Sequence, residues 1–188
     1  RFHDESAGTV HEMGHDAAEC QRIIGELQEY MFTKTRLGIP ALTCVEGIQG
    51  VLQNGATLFP HSIAQGSTFN PALIERMTDA CGREAAAMGL HQILSPVLDI
   101  ARELRWGRIE ETFGEDPYLA SETAVQYIEG MQSEGVMATI KHFAGNNQEW
   151  DRHQVSSDID ERTLHEIYLP AFRKAVEQAG VGAVLLSY

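Results

Sequence analysis

Lys141 and His142 stand side by side in Thr139-Ile-Lys-His-Phe-Ala-Gly-Asn146, where an apolar run meets a glycine loop. A lysine and a histidine at the end of a buried strand are costly unless they are paired or used. Adjacent side chains on a strand point to opposite faces. A twisted strand end relaxes that rule and lets both approach one ligand. Taken alone, the pair has a second reading: a lysine neutralised by a core carboxylate beside a capped histidine. Arg105-Trp-Gly-Arg-Ile-Glu-Glu111 offers a planar guanidinium fork at Arg108, suited to vicinal hydroxyls or a carboxylate, next to an indole face suited to a sugar ring. Its alternative is a surface loop carrying an Arg–Glu network. Glu46 lies between an apolar run and two glycines in Cys44-Val-Glu-Gly-Ile-Gln-Gly50, so a sharp turn can present its carboxylate to a polyol or to backbone N–H groups. Gly145-Asn-Asn-Gln-Glu-Trp-Asp-Arg-His153 is a polar loop directly after the Lys-His pair, and such loops commonly hold binding residues.

These segments need a scaffold that brings them together. Apolar runs and amphipathic stretches alternate along the chain. Strands are expected over Gly8 to Met13, Ala41 to Val45, Gln92 to Leu98, Met137 to Phe143 and Val181 to Leu186. Between them, helical spacing spans Asp16 to Thr35, Asn70 to Met88, Asp116 to Ser133 and Asp160 to Ala179. Asn70-Pro71 and Asp116-Pro117 each read as an N-cap followed by proline at the first helical position. The resulting order, β-α-β-α-β-α-β-α-β, implies an α/β fold with parallel strands. It fits an open doubly wound sheet and a (β/α)8 barrel equally well. The polar residues favour the barrel, because Glu46, Asp99, Arg108, Lys141, His142 and Tyr188 all fall at or just after the C-terminal ends of strands. In a barrel those ends ring one mouth, where active sites are built. Eight units usually take about 250 residues. Five strands are legible here, so the expectation is a partial TIM-like (β/α)8 barrel with about five of eight units, one domain over residues 1–188 that is the N-terminal part of a longer barrel.

Composition narrows the function. With 14 Lys+Arg against 27 Asp+Glu in 188 residues, the net charge is −13. A nucleic-acid partner, which needs a basic face, is not expected. No apolar stretch reaches about eighteen residues, so no membrane insertion is expected. Hydrophobic residues at 43% and charged residues at 22% describe an ordinary folded domain. Cys20, Cys44 and Cys81 are widely spaced and lack a CxxC, so neither a zinc site nor a disulfide framework is suggested and buried thiols are expected. His11 and His15 are four apart but have no third ligand. No metal and no cofactor are expected. The chain begins at Arg1 rather than Met, so the missing leader leaves the compartment open between cytoplasmic and exported.

The chain resembles glycoside hydrolase family 3, of the β-glucosidase and β-xylosidase type. The likeness rests on Arg36-Leu-Gly-Ile-Pro40, Glu46-Gly-Ile-Gln-Gly50, Gly55-Ala-Thr-Leu-Phe-Pro60, Thr68-Phe-Asn-Pro71, Ser95-Pro-Val-Leu-Asp99, Arg105-Trp-Gly-Arg108, Glu111-Thr-Phe-Gly-Glu-Asp-Pro-Tyr-Leu119, Lys141-His-Phe143, Asp160-Glu-Arg-Thr-Leu164 and Tyr168-Leu-Pro-Ala-Phe172. It implies a barrel whose mouth binds a terminal sugar at the −1 subsite, lined by Glu46, Arg108, Lys141, His142, Arg152 and Tyr188. It also implies retaining hydrolysis of terminal, non-reducing β-D-glycosidic bonds in a β-linked oligosaccharide or glycoside, without cofactor. The family's nucleophilic Asp lies in a later SDW-like segment, beyond Tyr188, and its acid/base Glu usually comes from a following domain. The catalytic pair is therefore expected outside this segment, with the remaining barrel and a C-terminal domain as intramolecular partners; the isolated segment is expected to be inactive. Departures from the family pattern are Gln49 where His is frequent and Leu104 where Pro is frequent. A different reading, a non-catalytic carbohydrate-binding or assembly module complete as given, is the alternative.

Overall fold

The computed structural model describes residues 7–11 and 13–188. Five strands, β1 (Thr9–His11), β2 (Leu42–Val45), β3 (Gln92–Ile93), β4 (Met137–Phe143) and β5 (Ala183–Leu186), form one sheet in the order β1-β2-β3-β4-β5. Every neighbouring pair is parallel. A doubly wound sheet reverses its strand order at a switch point. Here the order never reverses, so each unit adds to the same advancing edge, as in a barrel. The molecule is a curled parallel half-barrel. The expected Gly8 to Met13 strand is reduced to Thr9–His11, and Glu12 of that expectation lies outside the described residues.

The helices start where the sequence places caps. In α1 (Ala17–Lys34) the Asp16 carboxylate accepts from Glu19 N, and in α3 (Pro71–Ala87) Asn70 accepts from Leu73 N. In α4 (Pro117–Ser133) Asp116 accepts from Tyr118 N, and in α5 (Glu161–Thr163) Asp160 accepts from Thr163 N. Each cap satisfies an N–H that the first helical turn leaves without a partner. The helix from α5 runs through a π-helical stretch, Leu164–Tyr168, into α6 (Leu169–Glu177). A five-residue helix, α2 (Ser62–Gly66), and a 3-10 turn, Ile109–Glu111, lie in segments where no periodicity marked them.

Register explains what each face of the sheet does. Val45 pairs with Ile93 and Ile93 with Ala138, and all three pack into the core formed with Ile74, Ala124, Ile128 and Phe172 of the outer helices. The opposite face carries Cys44 beside Gln92, and Gln92 donates to the Thr139 hydroxyl at 2.7 Å. Following the two-residue period, Glu46 continues the inner row of β2 and Lys141 that of β4. Apolar residues therefore meet the helices, and polar residues accumulate toward the mouth.

Strand β3 is shorter than the expected Gln92 to Leu98. Pro96 has no N–H to extend a ladder. The segment still tracks β4: Thr139 N donates to Ser95 O, Lys141 N to Pro96 O and Leu98 N to Lys141 O. It delivers Asp99 to the mouth as an irregular extended strip.

Candidate functional site

Glu46 is placed by a tyrosine on the outer layer. Tyr127 of α4 is buried, donates to Gly47 O at 2.8 Å, and shares a 2.7 Å hydrogen bond with the Ser95 hydroxyl. One phenol thus ties the loop after β2 to the strip after β3. The loop must pass close to β3, because a Cβ on Gly47 would lie 2.2 Å from Ile93 Cγ2. Burial pushes the Tyr127 hydroxyl above its ordinary range, so it stays protonated and able to donate.

Across the mouth, Lys141 Nζ donates to Glu46 Oε2 at 2.7 Å. The lysine side chain is 1% exposed and the glutamate 31%. A buried ammonium is held by a carboxylate that itself faces the opening. The next residue, His142, turns to Asp99: Nδ1 lies 2.8 Å from Asp99 Oδ2, and the His142 backbone N–H donates to the same oxygen at 3.1 Å. Both side chains are buried, and Asp99 Oδ1 has no hydrogen-bond partner. Burial raises the Asp99 carboxyl above the usual carboxylate range, against the opposing pull of His142 and of the Arg108 charge. With Nδ1 committed to a carboxylate, His142 presents Nε2 to whatever enters.

Arg108 forms a bidentate pair with Glu111, Nε to Oε1 at 2.7 Å and Nη2 to Oε2 at 2.6 Å. That pair raises the guanidinium pKa, and the charges of Glu149 and Asp99 add to the effect. Arg152 Nη1 donates to Glu149 Oε2 at 2.5 Å, while Trp106 Nε1 donates to Oε1 of the same carboxylate at 2.9 Å. The Arg152 guanidinium lies 3.9 Å from the centroid of the Tyr188 ring. Tyr188 in turn stands 6.3 Å from the His142 ring and 5.1 Å from the His153 ring. The loop carrying Glu149 and Arg152 is anchored by Asn147, whose amide donates to Ile100 O at 2.8 Å.

Glu46 pairs with Lys141, Arg108 with Glu111, and Tyr188 stands beside Arg152 and His142, all near the C-terminal ends of β2, β4 and β5 or after β3. Asp99, Glu111 and Glu149, which hold His142, Arg108 and Arg152, are carboxylates that sequence reasoning did not include among the site residues. Glu111 was reachable, since three residues on from Arg108 is a pairing distance on a helical turn. Asp99 and Glu149 reach their partners only through the fold. Each of the four carboxylates is engaged by a cationic or imidazole partner. Such an arrangement combines carboxylate acceptors with ammonium, guanidinium and imidazole donors, the groups that can exchange hydrogen bonds with hydroxyls.

Cys44 shares the inward row of β2 with Glu46, and burial and the Glu46 charge raise its pKa. Cys20, Cys44 and Cys81 are free and buried; burial pushes Cys81 up to about 12. Among the described residues, no group of three or more His, Cys, Asp and Glu is placed to hold a metal ion, and no helix is long and apolar enough to cross a membrane.

Comparison with known proteins adds to this geometry. The family model for the glycosyl hydrolase family 3 N terminal domain matches residues 6–188. A β-glucosidase of Rhizobium radiobacter is 46% identical over 160 residues, covering 81% of this chain and 20% of that protein. A β-xylosidase of Formosa agariphila is 40% identical over 179 residues, covering 86% of this chain and 24% of that protein. Among solved structures, a β-glucosidase from Erythrobacter marinus superposes with a TM-score of 0.87 at 31% identity, covering 96% of this chain and 26% of the other. The chain therefore spans about a fifth to a quarter of the length of the relatives it matches.

Proposed function

This chain belongs to glycosyl hydrolase family 3, and from that premise we propose that it forms the sugar-holding wall of a retaining exo-acting β-glycosidase of β-glucosidase type. The observation that carries the reading is the Lys141–Glu46 pair at 2.7 Å, a buried ammonium and a mouth-facing carboxylate at the ends of two parallel strands. In this reading Glu46, Arg108, Lys141, His142, Arg152 and Tyr188 line the −1 subsite of an N-terminal barrel segment over residues 1–188. Glu46 accepts from a hydroxyl while Lys141 donates to the same or the adjacent oxygen. His142 Nε2 and the Arg108 fork bind the next hydroxyls, and the Tyr188–Arg152 stack closes the side of the pocket.

Retaining hydrolysis places two carboxyl groups about 5–5.5 Å apart across the scissile bond, one as nucleophile and one as acid/base. The carboxylates gathered here are all spoken for by cations or by His142. They orient; they do not attack the anomeric carbon. The nucleophile and the acid/base are accordingly assigned to parts of the longer protein outside these residues. The substrate is a terminal β-linked sugar of an oligosaccharide or glycoside. Binding energy from hydroxyl contacts that tighten as the ring flattens toward an oxocarbenium-like transition state accelerates the reaction.

The test is Lys141→Ala in the full-length enzyme. We expect kcat/KM on a β-glucoside to fall at least about 30-fold, since truncating one member of a buried charge pair costs roughly 2–5 kcal/mol. Near wild-type kcat/KM removes Lys141 from the subsite. A proton NMR time course on the unmodified enzyme should show the β-anomer released first; an α-anomer appearing first ends the retaining assignment.

A further inference from the structure

Four bonds close a ring around the Lys141–Glu46 pair. The ion pair itself is the first, at 2.7 Å. Lys141 N donates to Pro96 O at 3.2 Å. Ser95, the neighbour of Pro96, shares a 2.7 Å hydrogen bond with the Tyr127 hydroxyl. Tyr127 donates in turn to Gly47 O at 2.8 Å, and Gly47 is the neighbour of Glu46. Chemistry sets the direction of the last two bonds. A carbonyl only accepts, and a phenol has a single proton to give. Tyr127 therefore donates to Gly47, and the Ser95 hydroxyl donates to Tyr127.

Tyr127 is the member of this ring that comes from the outer helices; it sits on α4 and is 1% exposed. Gly47 and Ser95 are buried as well, so removing the phenol oxygen leaves two polar groups that solvent does not readily satisfy. The Glu46 side chain is 31% exposed. Packing alone does not fix a carboxylate so open to the mouth; the backbone beneath it and Lys141 must do so. The loop keeps further anchors, since Leu52 N donates to Glu46 O at 3.0 Å and Gln65 Nε2 to Ile48 O at 3.2 Å. The Tyr127 ring also packs near Phe113, with centroids 6.2 Å apart. A variant that keeps the ring and loses only the hydroxyl retains those supports.

We propose that Tyr127 is a positioning residue for the sugar-holding pair: its hydroxyl, reaching in from α4, fixes the Glu46 carboxylate against Lys141 Nζ and so sets the contacts both groups make in the transition state. The inference rests on the hydrolase reading above and adds to it a residue that touches no substrate. Tyr127 acts through Gly47 and Glu46, and the strip that carries Ser95 is its fixed point, because Thr139 N and Lys141 N of β4 bond to Ser95 O and Pro96 O.

The experiment measures kcat and KM for p-nitrophenyl β-D-glucoside, together with Tm, on the full-length parent, on Tyr127→Phe, on Glu46→Gln and on the double variant. Tyr127→Phe should lower kcat about tenfold, the scale of one buried hydrogen bond, with KM within about threefold of the parent. In the Glu46→Gln background the same change should cost less than about twofold, because the group it positions is already gone. An unchanged kcat per folded molecule in Tyr127→Phe, whatever its Tm, makes the tyrosine a packing residue and overturns the proposal. A loss of equal size in both backgrounds overturns it too, and either result leaves the hydrolase reading standing. Should Tyr127→Phe fail to fold, Ser95→Ala takes its place, since it opens the ring of bonds and keeps the one from Tyr127 to Gly47. Its kcat should fall about threefold, and an unchanged value overturns the proposal. A parent enzyme that leaves the glucoside intact overturns the hydrolase reading, and the positioning role with it.

Discussion

Asp99 and His142 define the chemistry available at the level of single side chains. A carboxylate buried with one oxygen unpartnered is expensive. Burial raises its pKa above the unfolded value, so the ionised form penalises the folded state. That penalty is absent at pH below the unfolded pKa near 3.8, grows as pH rises from there toward the raised folded value, and is complete above it. We expect Asp99→Asn in the full-length enzyme to show a Tm at pH 7 equal to or above the parent's, with the gap closing as pH falls toward 4. Its kcat/KM should nevertheless drop about 10–100-fold, since a charge-assisted hydrogen bond that orients His142 is worth roughly 1.5–3 kcal/mol. Thermal melts across pH, beside initial rates, check both halves; a lower Tm with unchanged activity would make Asp99 a packing residue. This role was not legible in the sequence. Asp99 and His142 are 43 positions apart, and no local pattern marks such a pair. Lys141, His142 and Arg108 stand out as candidates in the sequence because costly side chains at or after strand ends contrast with apolar neighbours.

At the level of elements, what the sequence announced was what local chemistry decides. The Asn70-Pro71 and Asp116-Pro117 starts appear as capped helices at those positions. What it hid was decided by long-range contact. Strand β3 shortens because Pro96 interrupts the ladder, and α2 folds under loops that no periodicity betrays. The tightest element contact is another case. A Cβ on Gly130 of α4 would lie 2.2 Å from Thr78 Oγ1 and 2.3 Å from Glu75 O of α3. The two helices meet backbone to backbone there, which a helix-interior glycine permits at some cost in propensity. Gly130→Ala should force them apart and destabilise the fold by about 1–3 kcal/mol. Urea unfolding measures it, and an unshifted midpoint would show that α3 and α4 slide without penalty.

For the whole molecule, the parallel half-barrel has β1 and β5 as its outer strands among the described residues. Beside β5 runs an apolar groove of about 790 Å³ lined by Phe143, Leu169, Phe172, Val176, Val184 and Leu186. Val184 is 45% and Leu186 70% exposed. Exposed parallel edges with apolar faces invite pairing with other chains. Residues 1–188 produced alone should associate with rising concentration and bind a hydrophobic dye. Light scattering from about 1 to 100 µM, orders of magnitude chosen around where exposed surfaces aggregate, checks this; a dye-silent monomer throughout would show that the edge protects itself.

The unbroken strand order has a consequence for how the chain is made. Because each unit pairs with the one before it, a strand leaving the ribosome finds its partner already assembled and waiting. Among the described strands, none is inserted between two earlier ones. Synthesis proceeds at about 5–20 residues per second, so the unit from Met137 to the start of β5 at Ala183 takes about 2–9 s. For those seconds the newest strand stands open with side chains such as Val184 and Leu186 in water. The same vectorial order that makes assembly simple gives chaperones a recurring window, once per unit, in which they can act.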